Sequence, residues 1–471
     1  MISRRRLQQN FGDGLIAGEI RDLYEPWMRH ADHILDDDQL LDLVQAELSK
    51  RVRKCRQRGR PATTAEVALR LLLLKHIRDW SYETLIREVR ANLVYRDFTR
   101  IGGGTVPDDK TIGRIARQLG PETIKKLHQR MVAIAQQQQV VKGKKMRVDT
   151  TVVETNIHYP TDSSLLGDGV RVLTRLMKKA ADIAGEAGTK LRNRSRSLKL
   201  RVLEIARASR SKSPQTAERM KGLYEKLLDG TVRVVGQAKK FAQEIATGVK
   251  RSSDVRQQAA LHGLQKELET IMPRVKTVIA QTRARVLEGD THFEGKLFSI
   301  FEPATEIIRR GKADKPNEFG KMIKVQEAEG QIVTDYEVYD KRPSDSDLLV
   351  PAIDVHQELF GRVPDLAAAD AGFYSAKGEK AAQEKGVKRV SVPNRSTKSE
   401  ERKAMQKKRW FKNGQKWRTG CEGRISLLKR RHGLDRSFYK GEDGMKRWVG
   451  LGVIGDNLIN IGLALAENHK T

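Results

Sequence analysis

The sequence predicts an α/β protein. A helical region comes first, followed by a mixed sheet with helices on its faces, and a long helical block interrupts the sheet after its first strand. Three observations carry this. Residues 1 to about 140 place apolar side chains at helical spacing between short turns. After residue 144, short β-branched runs alternate with helical stretches. Between 170 and 285 the strand signal vanishes and basic residues crowd in.

In the first region "VALRLLLLKHIRD" is compactly apolar, and Ser81 is placed to cap the helix "YETLIREVRANLVYRDF". "GGGTVPDD" is a turn whose Asp108 or Asp109 caps "KTIGRIARQLG", with the glycine closing that helix. Short helices on tight turns suit a helix-turn-helix reader of DNA and equally a plain helical bundle.

"KKMRVDTTVVETNI" reads as the first strand. The block that follows carries 27 Lys and Arg against 10 Asp and Glu over 170–285. Gly222, Gly230, Gly236 and Gly248 divide it into several helices, and no heptad is sustained. "KLFSIFE" is the next strand, then a hairpin of "KMIKVQE" and "QIVTDYEVY" joined through "AEG". "DSDLLVPAIDVHQELFG" is a helix stopped by Gly361. "PDLAAAD" is a buried strand closed by Asp370, "SAKGEKAAQEKG" a helix and "VKRVSVP" a strand. Two late helices, "EGRISLLKRR" and "KRWVGLGVIGDNLINIGLALAENH", complete the chain.

Charge narrows the partner. Lys and Arg number 90 against 60 Asp and Glu, a formal net charge of +30, which points to a polyanion and first of all to nucleic acid. A membrane fits worse: "MISRRRLQQNFGDG" has no apolar core behind its charges, and the apolar stretch near the end contains Asp456, Asn457 and Asn460. Cys55 and Cys421 are too few and too far apart for a disulfide framework or a cysteine zinc site. No G-x-x-x-x-G-K-[ST] loop supports ATP-driven chemistry. A reduced, cytoplasmic, DNA-handling protein is the expectation.

Two basic stretches are candidate DNA contacts. "RVRKCRQRGRP" supplies Arg51, Arg53, Arg56, Arg58 and Arg60, which suit phosphates or a solvated helix end. "NRSTKSEERKAMQKKRWFKNGQKWR" interleaves Trp410 and Trp417 with cations, for stacking on unpaired bases or for core packing.

Three acids stand out from these basic surroundings. Asp149 lies on the first strand, Asp370 at the carboxyl end of a buried strand, where open α/β sheets place their ligands, and Glu422 opens a late helix. Each has an ordinary reading: Asp149 a strand-edge charge, Asp370 a turn cap, Glu422 a partner for Arg418. Together they offer the oxygen ligands that hard divalent ions such as Mg²⁺ require. Two ions held this way activate a water or a 3′-hydroxyl and stabilise a leaving oxygen. If one helix runs from Arg418 to Lys429, then at about 100° per residue Arg418, Glu422 and Lys429 share a face. Arg430 follows beside them.

The stretches "VDTTVVETNIHYPTDSSLL", "AADAGFYS" and "CEGRISLLKRRHGL" resemble those of the bacterial insertion-sequence DDE transposases, whose catalytic domain has the ribonuclease-H-like fold. "GKADKPNEFGKMIKV" and "GRPATTAEVALRLLLLKHIRDWSYETL" add to the likeness, which is nearest to the ISNCY-like group. The resemblance implies an α/β ribonuclease-H-like catalytic domain with a mixed five-stranded sheet. It would be built from 141–169 and 289–471, with an N-terminal helical DNA-binding domain over 1–140 and a basic helical insertion over 170–288. It further implies Asp149, Asp370 and Glu422 as catalytic residues and ligands of two Mg²⁺ ions, with Mn²⁺ as a substitute. Arg418, Lys429 and Arg430 would contact DNA. Relatives place a tyrosine where this chain has Gln415. The implied partners are double-stranded DNA, both the inverted-repeat ends and the target, and a second copy of the chain. The implied location is the bacterial cytoplasm at the nucleoid. A cut-only nuclease of the same fold, or a DNA-binding regulator derived from a transposase, are the alternatives.

Overall fold

The computed structural model describes residues 2–5, 19–50, 62–185, 187–210, 214–309 and 316–468. The chain divides into two compact units, one formed by 1–156 with 308–471, the other by 157–307.

The first unit begins with helices α1 (Pro26–Leu35), α2 (Asp38–Ser49), α3 (Ala65–Ile77), α4 (Tyr82–Ala91), α5 (Leu93–Phe98), α6 (Asp109–Gln118) and α7 (Pro121–Gln137). Every residue of α3 is buried, as its continuous apolar run requires. Even Arg70 in its middle is fully covered, held by Asp32, Asp36 and Glu66. Ser81 caps α4 through the Thr84 amide and Asp108 caps α6 through that of Thr111. Two expectations are corrected. "YETLIREVRANLVYRDF" is two helices, because the Asn92 side chain accepts from the amides of Val94 and Tyr95 and restarts the helix. Gly120 does not close α6; it is the extended residue before Pro121 and serves as the N-cap of α7.

The sheet starts with β1 (Lys145–Thr155). In the second unit follow α8 (Asp162–Ala184), α9 (Ser195–Ala208), α10 (Pro214–Ala246) and α11 (Val255–Val286), packed around their own core of residues such as Leu173, Leu227, Phe241, Leu268 and Val275. Gly222, Gly230 and Gly236 do not break this block, since α10 runs through all three. Gly230 instead admits Leu198 of α9, which a Cβ would strike. Of the four glycines only Gly248, at φ +75°, lies at a break. "KLFSIFE" is not a strand: Ile300 is buried in the helical core and its carbonyl accepts from Arg274.

The remaining strands are β2 (Glu306–Arg309), β3 (Asn317–Ala328), β4 (Val333–Val338), β5 (Leu366–Ala368), β6 (Arg389–Ser391) and β7 (Arg436–Ser437). The sheet is mixed, with order β2-β3-β1-β5-β6, β4 also on β3 and β7 on β1. Seven strands among the described residues replace the expected five, because β2 and β7 are too short to leave a periodic signal. β3 and β4 form the expected hairpin, turned at Gly330 with φ +71°.

Between these strands lie α12 (Leu349–Phe360), α13 (Ala376–Glu384), α14 (Glu400–Lys407), α15 (Arg409–Arg431) and α16 (Gly441–Asn468). Met146, Val148 and Val152 of β1 face α12 and α13, while Val153 faces α15 and α16. The sheet is thus covered on both sides, an arrangement compatible with an α/β ribonuclease-H-like domain. Among the described residues α16 alone is long and apolar enough to cross a membrane, yet it is mostly buried against protein. Its Asp456 pairs with Arg424 and its Asn457 with the backbone of Val333.

Candidate active site

The strand pairing of β1 creates the site. On one side β1 is zipped to β3 from Met146 to Glu154. On the other, β5 accompanies it only from Lys145 to Arg147, and β7 only at Glu154 and Thr155. Between these contacts the sheet forks, and Asp149 stands in the fork. The β1–β5 pairs keep one constant offset, from Lys145 with Leu366 to Arg147 with Ala368. The pairing ends there, but counted on at the same offset Asp370 is the residue in register with Asp149.

Helix α15 crosses the sheet over this point. At its start the Phe411 carbonyl accepts from Ser391 Oγ of β6. The Gln415 side-chain amide then donates to the Ala369 carbonyl (3.2 Å), the Ser391 carbonyl (2.6 Å) and Ser391 Oγ (3.1 Å). Next comes β1, where Arg147 donates to the Trp417 carbonyl and lies against the Trp417 ring at 4.8 Å. Cys421 meets β3 at Val325, the cross-strand partner of Asp149. Burial first, then the nearby Glu327 and Asp149 carboxylates, push the Cys421 thiol well above its ordinary range, so it is no nucleophile.

Two glycines let α15 lie this close. A Cβ at Gly414 would stand 2.7 Å from Ser391, and one at Gly420 would strike the Arg147 guanidinium. Arg147 cannot easily move, because it holds the buried Glu327 through two bonds of 2.8 and 2.6 Å. Arg424 of α15 lies 3.6 Å from the same carboxylate and also grips Asp456. This buried chain of charges fixes the rotation of α15 on the sheet.

Glu422 therefore does not open its helix; it sits in the middle of α15, thirteen residues from its start. One helix does run from Arg418 to Lys429. Arg418 Nη1 is 2.8 Å from Glu422 Oε1 and 3.7 Å from Asp149 Oδ2, so the two acids converge on one positive atom. Asp149 is 14 % exposed and Glu422 55 %, so the pair opens outward on the helix side. The Asp149 carboxylate also accepts from the Thr150 amide.

Asp370 is half-buried just past β5, where its carboxylate accepts from the Gly372 amide and caps a short turn. A fourth acid, unremarked in the sequence, lies near it. Asp345 accepts from Thr150 Oγ at 3.1 Å, and a Cβ at Gly372 would stand 3.2 Å from Asp370 Oδ1 and 3.6 Å from Asp345 Oδ2. "RPSDSDLL" gave no sign of this, since the loop reaches the site only through the tertiary fold.

Among the described residues no three His, Cys, Asp or Glu side chains are gathered closely enough to hold a metal ion. The acids stand as two pairs, Asp149 with Glu422 across Arg418 and Asp370 with Asp345 across Gly372. The donor chemistry nonetheless fits a hard divalent cation: all four are oxygen ligands, and two already share a cationic atom.

Lys429 lies half-buried on α15 and Arg430 is exposed near its end. Trp410 and Trp417 are half-buried. Arg51, Arg53, Arg56, Arg58 and Arg60 lie outside the described residues.

Residues 24–118 match the family described as "Transposase domain (DUF772)", and residues 377–461 the family described as "Transposase DDE domain". Both are transposase families, and the two matches together support an insertion-sequence DDE transposase. The DDE match takes in Arg418, Glu422 and Lys429 and begins after Asp370, so it covers neither Asp149 nor Asp370. No curated protein and no solved structure matches the chain.

Proposed function

We propose that the chain binds the inverted-repeat ends of its own insertion sequence, cleaves the DNA there and joins the freed 3′-hydroxyl to target DNA. The observation that carries this is the convergence of Asp149 and Glu422 on Arg418 at the fork of the sheet, beside the level of Asp370. Asp149, Asp370 and Glu422 would hold two Mg²⁺ ions, or Mn²⁺ in their place. Those ions supply the charge that activates a hydroxyl and stabilises a leaving oxygen.

The chain's own residues do the rest. Arg418, released from the two acids, turns its guanidinium to a phosphate, and Lys429 and Arg430 extend that contact along the α15 face. Gln415 and the buried charges hold α15 in register so that the three carboxylates stay on one side of the strand being cut. Water or a DNA hydroxyl is the nucleophile, and no protein side chain need become covalently attached. The sheet is a ribonuclease-H-like catalytic domain in this reading. The N-terminal helices and the Arg51–Arg60 stretch contact the element ends, and the basic helical unit contacts DNA or assembles a homodimer at two ends. The protein acts in the bacterial cytoplasm at the nucleoid, without a membrane.

A DNA-binding regulator or a cut-only nuclease is the second reading, and the Arg418–Glu422 ion pair favours the regulator, since it satisfies Glu422 without catalysis. A plasmid assay with linear element ends and Mg²⁺ separates the three. Joined products mark a transposase, cut-only products a nuclease, and retarded but uncut DNA a regulator. Asp149→Asn and Glu422→Gln should abolish joining and leave end binding intact. Joining that survives both changes refutes the assignment.

A further inference from the structure

On the face where α15 begins, and away from the acids, lies a groove of about 770 Å³ between that helix and the first residues of β1, β5 and β6. Its volume falls in the range of about 300–1,000 Å³ that accommodates small organic ligands, nucleotides among them. Lys144, Lys145, Arg389 and Arg409 stand on its rim, all exposed. A further lysine, Lys388, is tied to Asp365 at 3.0 Å, so it adds no net charge. The indoles of Trp410 and Trp417 form part of the wall. Each ring has a guanidinium near one face, Arg389 at 6.0 Å from Trp410 and Arg147 at 4.8 Å from Trp417. Arg147 is locked on Glu327, so the Trp417 ring is set in orientation before any ligand arrives.

We infer that this groove holds an unpaired stretch of a DNA strand, its phosphates on Lys144, Lys145 and Arg409 and its bases against Trp410 and Trp417. The inference rests on the DNA-handling reading above and adds the substrate class for a site apart from the acids. Charge alone would suit any polyanion. The rings decide the class: bases inside a duplex are stacked on each other and offer no free face, whereas an unpaired base stacks on an aromatic side chain for about 1–3 kcal/mol. Position agrees. Lys145 precedes Asp149 by four strand residues, about 13 Å at 3.3 Å each, a span of only a few nucleotides. Trp417 is the neighbour of Arg418 on α15. A strand lying at Asp149 thus reaches the groove within a few nucleotides, so the segment held there would be the unpaired flank next to the cut.

The test uses the full chain in EDTA, so that no cleavage enters it. A short oligo-dT bearing 5-iodouracil is photo-crosslinked to the protein, and the attachment sites are mapped. Binding of the same oligonucleotide and of a duplex of equal length is then measured for Trp410→Ala, Trp410→Phe and Arg409→Gln. The expected result is attachment within 409–417, about tenfold weaker single-strand binding for Trp410→Ala, near-wild-type binding for Trp410→Phe, and duplex affinity within about twofold throughout for the two tryptophan variants. Arg409→Gln should weaken the single strand and reduce its salt dependence by about one ion. Attachment elsewhere, or equal loss for both DNA forms in Trp410→Ala, would overturn the inference. Joining by the Mg²⁺ plasmid assay reports separately on the function proposed above: a chain that takes single strands here yet never joins ends keeps this inference and loses that one.

Discussion

Arg418 and Glu422 are bonded one helical turn apart on α15, Nη1 to Oε1 at 2.8 Å, and the same nitrogen faces Asp149 from 3.7 Å. A pair of this spacing with one exposed member contributes only about 0.3–0.5 kcal/mol. Arg418→Ala should therefore move the melting temperature by less than about 2 °C. Because the guanidinium competes for the two carboxylates, the variant should bind Mn²⁺ about two- to threefold more tightly while processing DNA ends more slowly. Calorimetric titration with Mn²⁺ checks this; unchanged or weaker binding means the arginine is no competitor.

Gln415 joins α15 to the ends of both β5 and β6 through Ala369 and Ser391. Gln415→Ala removes these bonds, although the Ser391 carbonyl keeps the Ala369 amide and Ser391 Oγ keeps the Phe411 carbonyl, and should cost about 1–3 kcal/mol. Gln415→Glu should cost more, since a carboxylate would face two carbonyl oxygens. Hydrogen exchange of the peptides around 366–370 and 409–420 reads the loosening directly. Equal protection in Gln415→Glu and the wild type would show that the amide holds nothing.

Arg147 and Glu327 form a buried bidentate pair, 8 % and 0 % exposed. Arg147→Met leaves the buried Glu327 charge only the more distant Arg424, at 3.6 Å, and should destabilise by up to about 3–5 kcal/mol, whereas Arg147→Met with Glu327→Leu should be closer to the wild type. Denaturant midpoints of the single and double variants decide it. A double variant worse than either single would mean that the pair stabilises beyond neutralising itself.

Burial, aided by Lys125, lowers the His128 imidazole to about 4 from its usual 6.5. The folded value is the lower one, so the unfolded chain binds more protons between these pH values. Stability from His128 is complete above pH 6.5 and is lost as pH falls toward 4, by about 3 kcal/mol. His128→Gln should keep a bond to the Val333 carbonyl, which His128 Nε2 contacts at 2.9 Å, and should flatten the acid limb of stability. The limb should not vanish, because buried His76 is lowered as well. Unfolding midpoints from pH 4.5 to 7 test this, and identical slopes would refute it.

Local chemistry carried much of the fold in the sequence. The caps at Ser81 and Asp108 and the hairpin at Gly330 each depend on a few neighbouring residues, and each forms as read. Glycine misled where its role was tertiary. Gly230 read as a break but admits Leu198, and Gly414 and Gly420 lie inside α15 to clear Ser391 and Arg147. The apolar run at 296–302 read as a strand because its pattern cannot say whether Ile300 meets a sheet or a helical core.

By itself the sequence determined the kinds of groups available: a basic chain, three conspicuous acids, a helix carrying Arg418, Glu422 and Lys429 on one face. Side-chain type and helical spacing are properties of the chain, legible without any partner. Only the tertiary structure decided who meets whom. It forked the sheet at Asp149, brought Asp345 to Asp370 from a distant loop, set Arg418 between Asp149 and Glu422, and laid α15 across four strands on its glycines. Those contacts join residues tens to hundreds of positions apart, where register and close packing decide what no local propensity encodes.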